Sequence, residues 1–136
     1  MNRLRIIAAV SGIYDALAGA LMLTGWPLFL GLFGAPLPTP AIHADLNGLF
    51  LLSIGAGYLI PFRDPGSAGG RTYLWVMGPV LKGAGAVAFV IDSLFRDSPR
   101  SFLLFAVSDG AVALLTLWAL ATRSDASTSR PAHPLR

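Results

Sequence analysis

The sequence predicts an all-α integral membrane protein: a four-helix bundle with both termini cytoplasmic and a short interfacial or re-entrant element after the first helix. Three observations predict it. The chain of 136 residues is 54% hydrophobic and only 12% charged, with a mean hydropathy of +0.66, far more apolar than a soluble domain of this length. Four apolar stretches each reach the ~20 residues that cross a hydrocarbon layer ~30 Å thick. The arginines lie at the ends of those stretches, with Arg3, Arg5, Arg63, Arg71, Arg123, Arg130 and Arg136 on one side and only Arg96 and Arg100 on the other. That bias orients the bundle with the arginine-rich side inward.

The first span runs from about Leu4 to Thr24, because Gly25-Trp26-Pro27 breaks a helix and Trp26 suits an interfacial position. Met1 to Ala20 imitates a signal peptide, with Ala16-Leu17-Ala18 as a cleavage-like site. Asp15 interrupts the apolar region, however, and apolar sequence continues to Gly25, so a retained span is expected. The run 28–33 is too apolar for a solvated loop and too short to cross again; it is the interfacial or re-entrant element. A proline-rich link, 34–40, follows. Thr39-Pro40 reads as an N-cap with proline at the first helical position, giving a second span over 40–60.

Residues 61–71, rich in proline and glycine, read as a cytoplasmic loop. The third span covers 72–95, with Tyr73 and Trp75 at its inner rim. A short outer turn, 96–100, makes the third and fourth spans antiparallel neighbours. The fourth span covers 101–122, and the Ser-, Ala- and Pro-rich tail 123–136 is expected to be disordered. Small residues at helical spacing, Gly12/Ala16/Ala20, Ser53/Gly57 and Ala84/Ala88, suggest close helix packing.

Three spans carry an ionisable side chain near their middle: Asp15, Lys82 and Asp109. At 1.5 Å per residue, Asp15 and Lys82 lie roughly 16 and 15 Å from the inner side and Asp109 roughly 12 Å from the outer side, all near the midplane. A charge at that depth costs about 2.5–3.5 kcal/mol on insertion scales, so these groups must be paired, neutralised or used. Their sum is minus one if all ionise, which a low-dielectric core disfavours. Two readings stay open for this polar core: a static clasp holding three helices, in which a buried pair supplies specificity, or a ligand-binding or proton-exchanging site. Tyr14 stands at the same depth, but neighbours on a helix point about 100° apart, so Tyr14 and Asp15 cannot face one partner squarely. Asn47 joins this group from the second span. A second polar group, His43, Asp45 and the approaching Asp92, marks an outer mouth, with Asp45 suited to the start of its helix.

Several function classes lack support. The chain has no cysteine, which excludes disulfides, thiolate metal sites and cysteine nucleophiles. The only other histidine is His133 in the tail, so no metal site is assigned. Gly83-Ala84-Gly85-Ala86-Val87-Ala88 matches a dinucleotide pattern but lies inside a span with no preceding strand. The basic pI near 10 reflects topology and not nucleic acid. The partner it implies is the lipid bilayer, together with a membrane protein partner or a second copy.

The four short spans, the acid-containing first helix, the Trp-Pro outer connection, Asp45-Leu46-Asn47-Gly48 and Leu81-Lys82-Gly83-Ala84-Gly85 resemble the DoxX-like group of small bacterial membrane proteins. The resemblance covers about Arg5 to Arg123. It implies an inner (plasma) membrane location and a redox-associated subunit linked to quinones or thiols, and it carries over no active residue. The expected function is an accessory or lipid-soluble-ligand-binding component, with a quinone or similar molecule as ligand, and not a self-sufficient enzyme. A small proton-coupled transporter or channel and a structural subunit of a larger complex are the alternatives.

Overall fold

A computed structural model describes residues 3–128, and among them every regular element is helical. Four helical stretches are long and apolar enough to cross a membrane: Arg3–Thr24, Ile42–Arg63, Ala68–Phe95 and Arg100–Thr122. The first is the single helix α1, Arg3–Thr24, and Trp26–Phe33 forms the short helix α2. The left-handed Gly34 caps α2, its N–H donating to Leu30 O.

The second span is α3, Ile42–Gly57, followed by α4, Leu59–Arg63. It begins at Ile42, two residues later than expected. Thr39 is not its cap; Ala41 holds that position without a side-chain bond, and Asp45 lies in the first turn, where the helix dipole favours its charge. The loop expected over 61–71 shrinks to 64–67, because helix resumes at once on either side. Pro61 stays within α4, near its start, where a missing N–H costs little. Asp64 Oδ1 accepts from the N–H groups of Gly66 and Ser67, and Ser67 Oγ then caps the next helix by accepting from Gly70 N–H at 3.0 Å.

The third span is not one α-helix. It comprises α5, Ala68–Trp75, a π-helical segment, Val76–Lys82, and α6, Gly83–Phe95. Pro79 lies inside the π segment and explains it. In an α register its ring would press on the Trp75 carbonyl, and its missing N–H would leave that carbonyl bare; a wider turn relieves both. One residue gained in this way turns everything beyond it by about 100°. Ala84 and Ala88, expected in a helix contact, face outward, while Gly83, Gly85 and Ala86 stand against the fourth span. That last span is a short 3₁₀ turn, Arg100–Phe102, and α7, Leu103–Thr128, which continues past Thr122. Residues 129–136, in the expected tail, lie outside the described residues.

α1 and α3 pack backbone to backbone. A Cβ on Gly19 would stand 2.6 Å from Gly48 O, and one on Gly55 would stand 2.8 Å from Gly12 O. Gly12 opposite Gly55 and Gly19 opposite Gly48 make an antiparallel seam with glycine every seventh residue. In lipid, where apolar surface gains nothing by leaving the solvent, such close dispersion contact holds helices together. Outward side chains fit that environment: Val107 is 71% and Leu114 69% exposed.

The two ends of the bundle differ. At one end Arg5 donates to Arg63 O, the Arg3 guanidinium lies 4.8 Å above the Trp118 ring, and Leu4, Ala8, Ile54, Tyr58, Leu74, Ala119 and Leu120 form a sealed core. At the other end Ser101 Oγ donates to Phe33 O, tying α2 to the fourth span. Phe29 of α2 stacks on Phe105, Phe33 meets the same ring at a tilt, and Phe105 stacks in turn on Phe89. This end holds rings in place of a sealed core.

Candidate functional site

Midway along the bundle the structure brings Asp15, Lys82 and Asp109 together. Lys82 Nζ lies 2.6 Å from Asp15 Oδ1 and 3.1 Å from Asp109 Oδ1, so one ammonium bridges acids on α1 and α7. Asp15 is 1% and Lys82 6% exposed. Bonds between ionised partners are short and strong, and in so dry a setting each ion depends on the others. Lys82 is the last residue of the π segment. Its direction therefore depends on the extra residue introduced around Pro79, and Gly78, packed directly against Thr116 of α7, fixes that segment's distance from the fourth span.

The Tyr14 hydroxyl takes a different partner from Asp15, although the two side chains, expected not to face one partner squarely, both reach Lys82. Its hydroxyl is 2.9 Å from Ser108 Oγ, and Ser108 Oγ donates to Phe105 O. The two hydroxyls tie α1 to α7. The face of its ring is 4.8 Å from Lys82 Nζ, a cation–π contact that adds to the two ion pairs. Tyr14 thus serves the cluster with its ring and the α1–α7 contact with its hydroxyl.

Above the cluster, towards the end holding α2, opens a cavity of about 730 Å³, within the ~300–1,000 Å³ usual for small-molecule sites. Its base is Tyr14, Asp15, Lys82 and Asp109; its walls are mostly apolar, among them Met77, Leu81, Gly85 and Phe89, which recur every fourth residue along one face of the third span. Trp26, Phe29, Pro36, Pro38, Pro99 and Phe102 surround its far end. From α3, Asn47 and His43 add polar groups partway up and near the rim. Two buried polar atoms of this lining have no hydrogen-bond partner: Asp15 Oδ2 at the base and Trp26 Nε1 near the rim.

The expected outer mouth divides. His43 lines the cavity, whereas Asp45 and Asp92 do not. Asp92 is occupied locally, accepting from Arg96 Nη1 at 3.5 Å and from Ser98 Oγ, bonds that close the turn into the fourth span. No group of three or more metal-ligating side chains occurs among the described residues. Reading the residues alone overlooked the aromatic lining from α2. The signal for it was present in the spacing of Trp26, Phe29 and Phe33, which share one face of a helix. Pro79 within an apolar span was the corresponding signal for the π segment.

No family model, curated protein or solved structure matches the chain.

Proposed function

We propose that this chain is a multi-pass protein of a bacterial inner membrane, of DoxX-like type, that binds a lipid-soluble small molecule in the cavity above Lys82. It acts as an accessory component alongside redox chemistry in the membrane, a quinone-like or isoprenoid molecule being the class of ligand. The observation that carries the reading is the pairing of a large apolar-walled cavity with a charged base. A clasp needs the ion pairs but no cavity beside them. An amphipathic ligand uses both, its polar head at the base and its apolar body against Met77, Leu81 and Phe89.

The proposed orientation places Arg3, Arg5, Arg63 and Trp118 at the cytoplasmic face, and α2 as an interfacial or re-entrant element at the outer face. It is supported by the arginine distribution and by the exposure of Leu28 and Leu32 on α2. In that frame the sealed core closes the cytoplasmic half, and ligand reaches the site from the outer half.

The test is mass spectrometry of organic extracts from gently solubilised protein. A stoichiometric lipid-soluble molecule is expected with the wild type and not with folded Gly85→Phe, whose ring would fill the cavity. Equal recovery from both proteins, or an empty folded wild type, would count against the reading.

A further inference from the structure

The polar atoms at the cavity base differ in what they have left to offer a ligand. Lys82 has donors, but two are directed at Asp15 Oδ1 and Asp109 Oδ1, and the ammonium also rests against the Tyr14 ring. The Tyr14 hydroxyl is already engaged by Ser108 Oγ. Asp15 Oδ2 is the opposite case: an acceptor without a hydrogen-bond partner, on a side chain 1% exposed that belongs to the cavity lining. A carboxylate oxygen left unbonded in a dry site carries a full desolvation cost. The base of the cavity is thus short of one donor.

Resting on the ligand-binding reading above, we infer that the site selects amphiphiles whose head is a hydroxyl donor, such as a phenol, hydroquinol or long-chain alcohol, which directs its O–H to Asp15 Oδ2. Within the quinone-like class this favours the reduced hydroquinol, because an oxidised quinone, like a ketone or ether head, brings only acceptors to an atom that is itself an acceptor. A protonated amine brings donors but also a second cation beside Lys82. A neutral hydroxyl satisfies the orphan oxygen without that repulsion.

The discriminating probes are 4-decylphenol and 4-decylanisole, equal in body and differing by one O–H. Binding is read from Trp26 fluorescence in a Trp75→Phe/Trp118→Phe background, which leaves the indole on the cavity wall as sole reporter. The phenol is expected to bind at least about tenfold tighter, the scale of one hydrogen bond to a charged acceptor. Ala18→Phe, one turn above Asp15 on the cavity wall, should weaken both probes. In Asp15→Asn the amide N–H replaces the orphan acceptor, and the preference should fall below about threefold or reverse. Equal affinities in the wild type would overturn the selectivity while leaving the cavity a ligand site. Failure of both probes to bind would overturn both readings, and the wild-type comparison decides even where Asp15→Asn does not fold.

Discussion

Lys82 Nζ sits 2.6 Å from Asp15 Oδ1, the shorter of its two ion pairs and the drier, with side chains 6% and 2% exposed. Its bond to Asp109 is longer, at 3.1 Å, and the Asp109 side chain is 16% exposed. The two acids are therefore unequal partners. Asp109→Asn should cost less folded yield than Asp15→Asn, because the weaker and wetter pair is lost. Folded fraction by size exclusion in mild detergent, compared between the two variants, checks this order.

Lys82→Met leaves two carboxylates facing each other in a dry core. Breaking a buried pair from one side costs about 3–5 kcal/mol, enough to remove most folded protein. Adding Asp15→Asn and Asp109→Asn should restore the yield, since no charge then remains to be balanced. A triple variant that stays unfolded would show that Lys82 does more for the fold than balance charge.

The four spans were legible because apolar length is a one-dimensional property that a membrane enforces. The common depth of Asp15, Lys82 and Asp109 was legible for the same reason, since a constant rise per residue converts sequence position into height. Azimuth was not legible. The expected packing of Ala84 and Ala88 fails because Pro79 places a π segment ahead of them and turns α6 about its axis. Asp92 was read towards His43 because height alone put them at one level, but Ser98 and Arg96, close to it in sequence, take it first. The cavity needed the fold of α2 across the bundle end, which nothing within 34–40 encodes locally.

The glycine seam gives a stability prediction. At Gly19 a Cβ would meet backbone at 2.6 and 2.8 Å, and at Gly78 it would meet Thr116 Cγ2 at 2.7 Å, while at Gly31 nothing stands within 4 Å. Gly19→Val and Gly78→Val should each lose about 1–3 kcal/mol through overpacking, and Gly31→Ala should be close to neutral. Thermal melting in one detergent, followed by circular dichroism, separates them.

Tyr14 divides into ring and hydroxyl. Tyr14→Phe removes the bond to Ser108 but keeps the face beneath Lys82, and should cost about 0.5–1.5 kcal/mol. Tyr14→Leu loses both and should cost more. Equal melting temperatures for the two variants would mean that the ring contributes nothing to holding the ammonium.

Because the natural chain has no cysteine, its orientation can be read with single introduced thiols. Gly69→Cys, at an open position beside the 64–67 turn, should react with a membrane-impermeant maleimide only after permeabilisation. Arg96→Cys, replacing a side chain 74% exposed, should react in intact cells. The reverse pattern would invert the proposed topology.

Whether a lipid-soluble molecule occupies the cavity above the Asp15–Lys82–Asp109 cluster can be read by photolabelling. A long-chain alcohol carrying a diazirine, activated in membranes containing the protein, is followed by peptide mass spectrometry. Labels should concentrate on the cavity-lining Met22, Phe29, Met77 and Phe89 and fall when excess unlabelled alcohol competes. Labels confined to outward-facing residues such as Leu94, Val107 and Leu114, indifferent to competitor, would contradict that occupancy.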